Sequence, residues 1–233
     1  RVHCLSYLVY VRWWLGYPDE ALRCSREALS LAQKLSHPFS LAYALVPATG
    51  ISLRCGKLPA AQELAESGVT LCTEEGFARL LAASTIMRGW ALVEQGQGEE
   101  GITQMCQGLA GFRATGSELG RTYYLTLIAE SCEKVGQIED ALRVLTEALA
   151  MVNQTEERVY EAELYRIKGE LTLQQKSQKS KGKSQKSKIQ KPKSQSLNPK
   201  AQSEAEACFL KAIEISQEQQ AKSLELRATM SLA

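Results

Sequence analysis

No stretch of the 233 residues approaches the ~18 consecutive apolar residues that a membrane-spanning helix requires. No secretory leader pattern is present either, so a cytoplasmic location is expected. A phosphate loop of the form G-x-x-x-x-G-K-[ST] is missing. The densest glycine cluster, Gly96-Gln97-Gly98-Glu99-Glu100-Gly101, carries two glutamates where a phosphate cradle needs a lysine. Histidine is nearly absent. His3 lies close to Arg1, and His37 precedes a proline at a helix exit, where a capping role is expected. Neither has a serine or cysteine at a spacing that suggests a hydrolytic triad. The seven cysteines are odd in number, widely spaced and without a C-x-x-C, which points to reduced, buried thiols rather than disulfides or a metal site. Glu74-Glu75, Glu99-Glu100 and Glu156-Glu157 fall at helix ends and read as solvated termini. No catalytic residue, cofactor or metal ligand emerges, and the chain is expected not to be an enzyme.

What is present is a repeat. The stretch G-Q-I-E-D-A-L-R-V-L-T-E-A-L at 136–149 places a glycine, an alanine five residues on and another seven after that. The same positions recur at 40-residue steps: Gly96, Gly101 and Gly108; Gly56, Ala61 and Gly68; Gly16, Ala21 and Ala28. Small residues in a fixed helical register are the mark of stacked helix pairs, whose core is a ribbon rather than a ball.

The periodicity predicts a helix over 2–15 and its partner over 19–35, then pairs at 39–55 with 59–75, 77–95 with 99–115, and 118–135 with 138–153. A fifth first helix is expected over 156–174. Its partner is displaced, because Ala205 and Ala212 fall 24 residues later than the period requires. Residues 221–233 begin a sixth pair. The sequence opens at Arg1 without a methionine and stops at Ala233 inside an apparent helix, so a fragment of a longer protein is expected. Pro47 is expected to kink or break its helix. Glycines 68, 89, 101, 108, 111 and 169 lie inside predicted helices at a cost of ~0.5–1 kcal/mol each against alanine, which implies close helix approach at those points.

The displacement is caused by a low-complexity segment over 175–200, in which K-S-Q-K-S-K occurs at 176–181 and again at 183–188. Such a composition is expected to be disordered. It holds nine lysines and no acid over 176–200, and without it the body carries 19 basic against 26 acidic residues. The insert suggests an electrostatic tether to nucleic acid or an anionic membrane. It has no arginine and no interleaved aromatic to stack on bases, which argues against nucleic acid. Its internal duplication suggests a translated repetitive element, and a segment with no role is the favoured reading.

The turns and second helices at 16–29 and 136–149 resemble the tetratricopeptide repeat (TPR), with a period six residues longer than the usual 34. The resemblance implies an all-α, right-handed TPR-like α-solenoid of antiparallel helix pairs over 1–174, continued over 201–233. A closer likeness lies in R-G-W-A-L-V-E-Q-G-Q-G-E-E-G-I (88–102), Y-E-A-E-L-Y-R-I-K-G-E-L (160–171), E-A-E-A-C-F-L-K-A-I (204–213) and A-K-S-L-E-L-R-A-T-M-S-L-A (221–233). Together these resemble the C-terminal repeats of large bacterial signalling ATPases, often fused to class III adenylate or guanylate cyclase domains. That implies a regulatory or sensor arm that binds a protein or peptide, or the parent's own NTPase module. In the TPR register, groove positions on first helices are His3, Tyr43 and Tyr123, Tyr10 and Trp90, and Trp13 and Glu133. An aromatic lining suits capture of a helix or extended peptide, while ordinary core or inter-repeat packing is the favoured reading of Trp13, Trp14 and Trp90.

Overall fold

The computed structural model describes residues 1–184 and 199–233, excepting the side chains of 176–184. The described residues form eleven helices and no strand. They are α1 (Val2–Trp14), α2 (Pro18–Lys34), α3 (Pro38–Arg54), α4 (Leu58–Glu74), α5 (Ala78–Glu94) and α6 (Gly98–Ala114). These are followed by α7 (Arg121–Val135), α8 (Ile138–Thr155), α9 (Glu161–Ser184), α10 (Pro199–Glu218) and α11 (Lys222–Leu232).

The 40-residue period resolves into two equal steps. Left-handed backbone occurs at Gly16, Ser36, Gly56, Gly76, Gly96, Gly116, Gly136 and Glu156, one every 20 residues. Helices α1 to α8 are each stopped by that residue, since positive φ ends the α-ladder. Helices α2 to α6 are accordingly 17 residues apiece. Equal rods give equal layers, so the same register position meets the same neighbour in each pair. Ala21, Ala61 and Ala141 are fully buried, and Gly101 is buried beside them in register.

Each odd-numbered helix packs against the even one that follows, and each even helix against the next odd one. The odd helices also touch one another in turn, α1 to α3, α5, α7, α9 and α11, and α11 returns to α1. Closure is specific. The Ser223 hydroxyl donates to the Trp13 carbonyl at 2.5 Å, and Trp13 and Trp14 pack on a cluster of Ala162, Ile215, Ala221 and Leu224.

Glycines inside helices mark the closest approaches. A Cβ on Gly108 would lie 2.8 Å from the Ala82 carbonyl oxygen, and one on Gly169 would enter the Phe209 ring across the α9–α10 interface. Gly111 is the exception: it is exposed, and a Cβ there would meet Ala82 at an ordinary 3.5 Å.

Several expectations need correction. Pro47 does not break α3, which runs through it with Pro47 buried. His37 caps the following helix rather than the preceding one, its Nδ1 accepting from the Ser40 N–H at 3.2 Å. Helix α7 starts at Arg121 rather than 118 because Gly120 is left-handed, and α9 starts at Glu161 because Glu156 closes α8. Of the thiols, Cys24, Cys72 and Cys132 are buried, but Cys4 and Cys106 are exposed; all seven are free. Helix α9 continues to Ser184, past residue 174. The disordered insert expected over 175–200 falls largely on 185–198, outside the described residues. Among the described residues no helix is long and apolar enough to cross a membrane, and no group of three or more His, Cys, Asp or Glu is placed to hold a metal.

Candidate functional site

The inner face is built by helical spacing. Tyr7, Tyr10 and Trp14 share one face of α1, and Tyr43, Val46 and Pro47 share one face of α3. With Arg79, Leu80 and Ala83 of α5, Tyr123 and Tyr124 of α7, and Tyr160 just before α9, they enclose a cavity of about 250 Å³. The rings brace one another. Tyr123 stacks on Tyr160 at 4.9 Å, Tyr10 meets Tyr123 edge-on at 5.8 Å, and Trp14 meets Tyr160 edge-on at 5.7 Å. Both edge-on and offset stacking suit the ring quadrupole, so the wall is rigid. Tyr7, Leu119 and Val159 are exposed at the rim.

Burial raises the phenols of Tyr10, Tyr123, Tyr124 and Tyr160, and that of Tyr43 to about 12, so all stay neutral near pH 7. Among the described residues the hydroxyls of Tyr10, Tyr124 and Tyr160 make no hydrogen bond, although Tyr124 and Tyr160 are each only 7% exposed. Arg79 sits near Tyr43 and Tyr124, its guanidinium 5.4 Å from the Phe112 ring. Glu157 lies by Tyr160.

Beside this cavity Arg54 is held between two indoles, 4.2 Å from the Trp13 ring and 5.1 Å from the Trp90 ring. Planar guanidinium suits this sandwich better than a lysine would.

Farther along the inner face lies an ion network. The Glu163 carboxylate accepts from Arg166 and from Arg227, each at 2.8 Å, and Glu130 accepts from Arg227. Burial would raise the Glu163 carboxyl, but Arg166 and Arg227 overcome it and hold it down to about 2. The network joins α7, α9 and α11, so it fixes the last helix to the ring.

The residues expected from the sequence divide into four places. Tyr10, Tyr43 and Tyr123 come together in the cavity wall. Trp13 and Trp90 clasp Arg54 in the adjoining layer, with Trp90 buried. His3 packs at the outer edge on Tyr43, 4.3 Å between centroids. Glu133 is apart from the cavity; it accepts from Gln174, and burial raises its carboxyl against the pull of Arg166. Sequence reasoning missed Trp14, Tyr124, Tyr160 and Arg79. The seven-residue step from Tyr7 to Trp14 was a usable signal for the first. It missed the ion network too, although Glu163, Arg166 and Arg227 lie in two of the blocks that carried the resemblance to signalling ATPases.

No family model matches the chain, and neither does any curated protein. Solved structures do. The apo form of RapI aligns with a TM-score of 0.58 at 13% identity over 99% of this chain and 82% of that one. TPR-like repeats of a putative kinesin light chain from Podosopora anserina align with a TM-score of 0.54 at 17% identity, covering 91% and 96%. Aspartyl phosphate phosphatase F from Bacillus subtilis gives 0.57 at 13% identity, covering 99% of this chain but 59% of the phosphatase. At these identities the likeness shows the fold, an all-α TPR-like solenoid.

Proposed function

We propose that the chain is a non-catalytic scaffold that binds a protein or peptide through its inner face. It serves as the regulatory or sensor arm of a larger bacterial signal-transduction ATPase or nucleotide cyclase. The carrying observation is the braced aromatic wall opening onto the exposed apolar rim of Tyr7, Leu119 and Val159. Aromatic anchors at a concave mouth carry much of the energy in peptide capture, because they bury large area at low entropic cost. Placing that wall on first helices in a TPR-like fold, and the sequence blocks shared with signalling ATPases, support the reading.

The test is site-directed photocrosslinking in the native host, with a benzophenone amino acid at Leu119 on the rim or at exposed Glu63 on α4. A partner captured from Leu119 is then purified and titrated against the unlabelled chain. We expect the Tyr7→Ala, Leu119→Ala double variant to bind about tenfold or more weakly. Deleting 176–200 should leave affinity unchanged. Capture from Glu63 alone, or loss of binding on the deletion, removes the inner face from the mechanism. A phosphate loop upstream of Arg1 in the parent gene is the second requirement.

A further inference from the structure

We infer that the aromatic cavity is a small-molecule site, and that its ligand is a compact, single-ring aromatic carboxylate. This goes beyond partner capture on the rim and does not depend on it.

Size sets the first limit. A dry apolar cavity of ~150 Å³ admits benzene, and drug-sized ligands occupy ~300–1,000 Å³. The cavity here is about 250 Å³, enough for one ring and a short polar tail and too small for more. The wall sets the second. Tyrosine and tryptophan rings from α1, α3 and α7 surround the space, and the geometry of their own contacts shows that they accept a ring edge-on or offset.

Polarity sets the third limit. Tyr10, Tyr124 and Tyr160 line the cavity, and among the described residues their hydroxyls have no protein partner, which leaves them free to donate to a ligand. A carboxylate accepts from hydroxyls and satisfies them. Among the described residues the only lining cation is Arg79, which makes no ion pair with any of them and lies at the Tyr43–Tyr124 end. The only lining acid among the described residues, Glu157, lies at the Tyr160 end. Raised phenols cannot supply an anion near neutral pH, so the cationic end stays uncompensated. An acid group at that end, with its ring against the wall that Tyr10 and Tyr123 form together, matches both the shape and the charge.

The experiment is isothermal titration of the whole chain with 3-phenylpropionate, 3-phenylpropan-1-ol and phenethylamine, which share a ring and differ in charge. We expect saturable binding of the carboxylate, about 10- to 100-fold tighter than the alcohol, as for a hydrogen bond to a charged group. The amine should bind no better than the alcohol. Arg79→Gln should abolish the preference for the acid while lowering the thermal midpoint only slightly, since among the described residues Arg79 makes no ion pair and its cation–π contact with Phe112 is worth about 0.5–1 kcal/mol. Leu119→Trp at the exposed rim should weaken all three by narrowing the mouth. Equal binding of acid and alcohol, tighter binding of the amine, a preference that survives Arg79→Gln, or no heat at millimolar ligand would each overturn the assignment. Phenylalanine as a fourth probe reads Glu157: any gain over 3-phenylpropionate lost in Glu157→Gln places the ammonium there and upholds the acid at Arg79.

Discussion

Gly89 and Gly101 are reciprocal: a Cβ on either would lie 2.5 Å from the carbonyl oxygen of the other. The backbones of α5 and α6 therefore touch where any other residue would hold them apart. This contact lies at the midpoint of the array, and neither side has a flexible side chain to yield.

Alanine at either position is expected to destabilise the fold by about 2 kcal/mol, because overpacking against backbone outweighs the ~1 kcal/mol that alanine gains in a helix. Gly111→Ala is the opposite case. Its added methyl meets only ordinary contact with Ala82, so it should stabilise by about 0.5–1 kcal/mol. Urea midpoints of the three variants decide it, and a common sign for all three would refute the close-contact account.

Ser36 and Glu156 occupy turn positions that glycine fills elsewhere in the 20-residue series, at φ +47° and +58°. Both are exposed. Left-handed backbone costs an L-residue roughly 1–2 kcal/mol, and glycine gives back part of that through its freer unfolded chain. Ser36→Gly and Glu156→Gly should each stabilise by roughly 0.5–1 kcal/mol. Gly56→Ala, at φ +68° with open space around it, should destabilise through the backbone alone. Thermal melts at one protein concentration test all three.

Glu163 ties the last helix to the ring, and Glu163→Gln leaves Arg166 and Arg227 to share Glu130, with Glu170 at 3.7 Å from Arg166. Breaking a buried pair from one side costs about 3–5 kcal/mol where the other charge is left uncompensated, and the carboxylates that remain here place the expected loss below that, at about 2 kcal/mol. The pH dependence has a definite sign. The folded carboxyl is depressed to about 2 from about 4.3 in an unfolded chain. Its stabilisation is thus whole above pH ~4.3 and is lost as pH falls toward 2. Glu133, raised chiefly by burial, acts in the other direction: its contribution fades as pH rises through its folded value. Denaturant titrations between pH 3 and 7 should show a shallower acid slope for Glu163→Gln than for the parent chain, and a steeper one for Glu133→Gln.

The array itself was legible because small residues repeat at fixed depth. Ala21, Ala61 and Ala141 needed only a 40-residue ruler. The finer step of 20 was hidden, since Ser36 and Glu156 break the glycine pattern and the left-handed turn is a backbone state rather than a residue type. Among the aromatics, Tyr10, Tyr43 and Tyr123 were placed on the inner side by register alone. Which of them would meet Trp14, and which indoles would clasp Arg54, depends on the rotation accumulated over several pairs. That rotation has no local signature. The ion network is opaque for the same reason: Arg227 reaches Glu163 across 64 residues and Glu130 across 97.

Contact between Ser223 and Trp13 spans 210 positions of sequence. In an open stack each terminal hairpin has one neighbour, so trimming an end removes one interface and the remainder keeps its energy. Here an end hairpin has neighbours on both sides. Trimming it forfeits two junctions at once, as excision from the centre would, and the order of unfolding no longer follows distance from the termini.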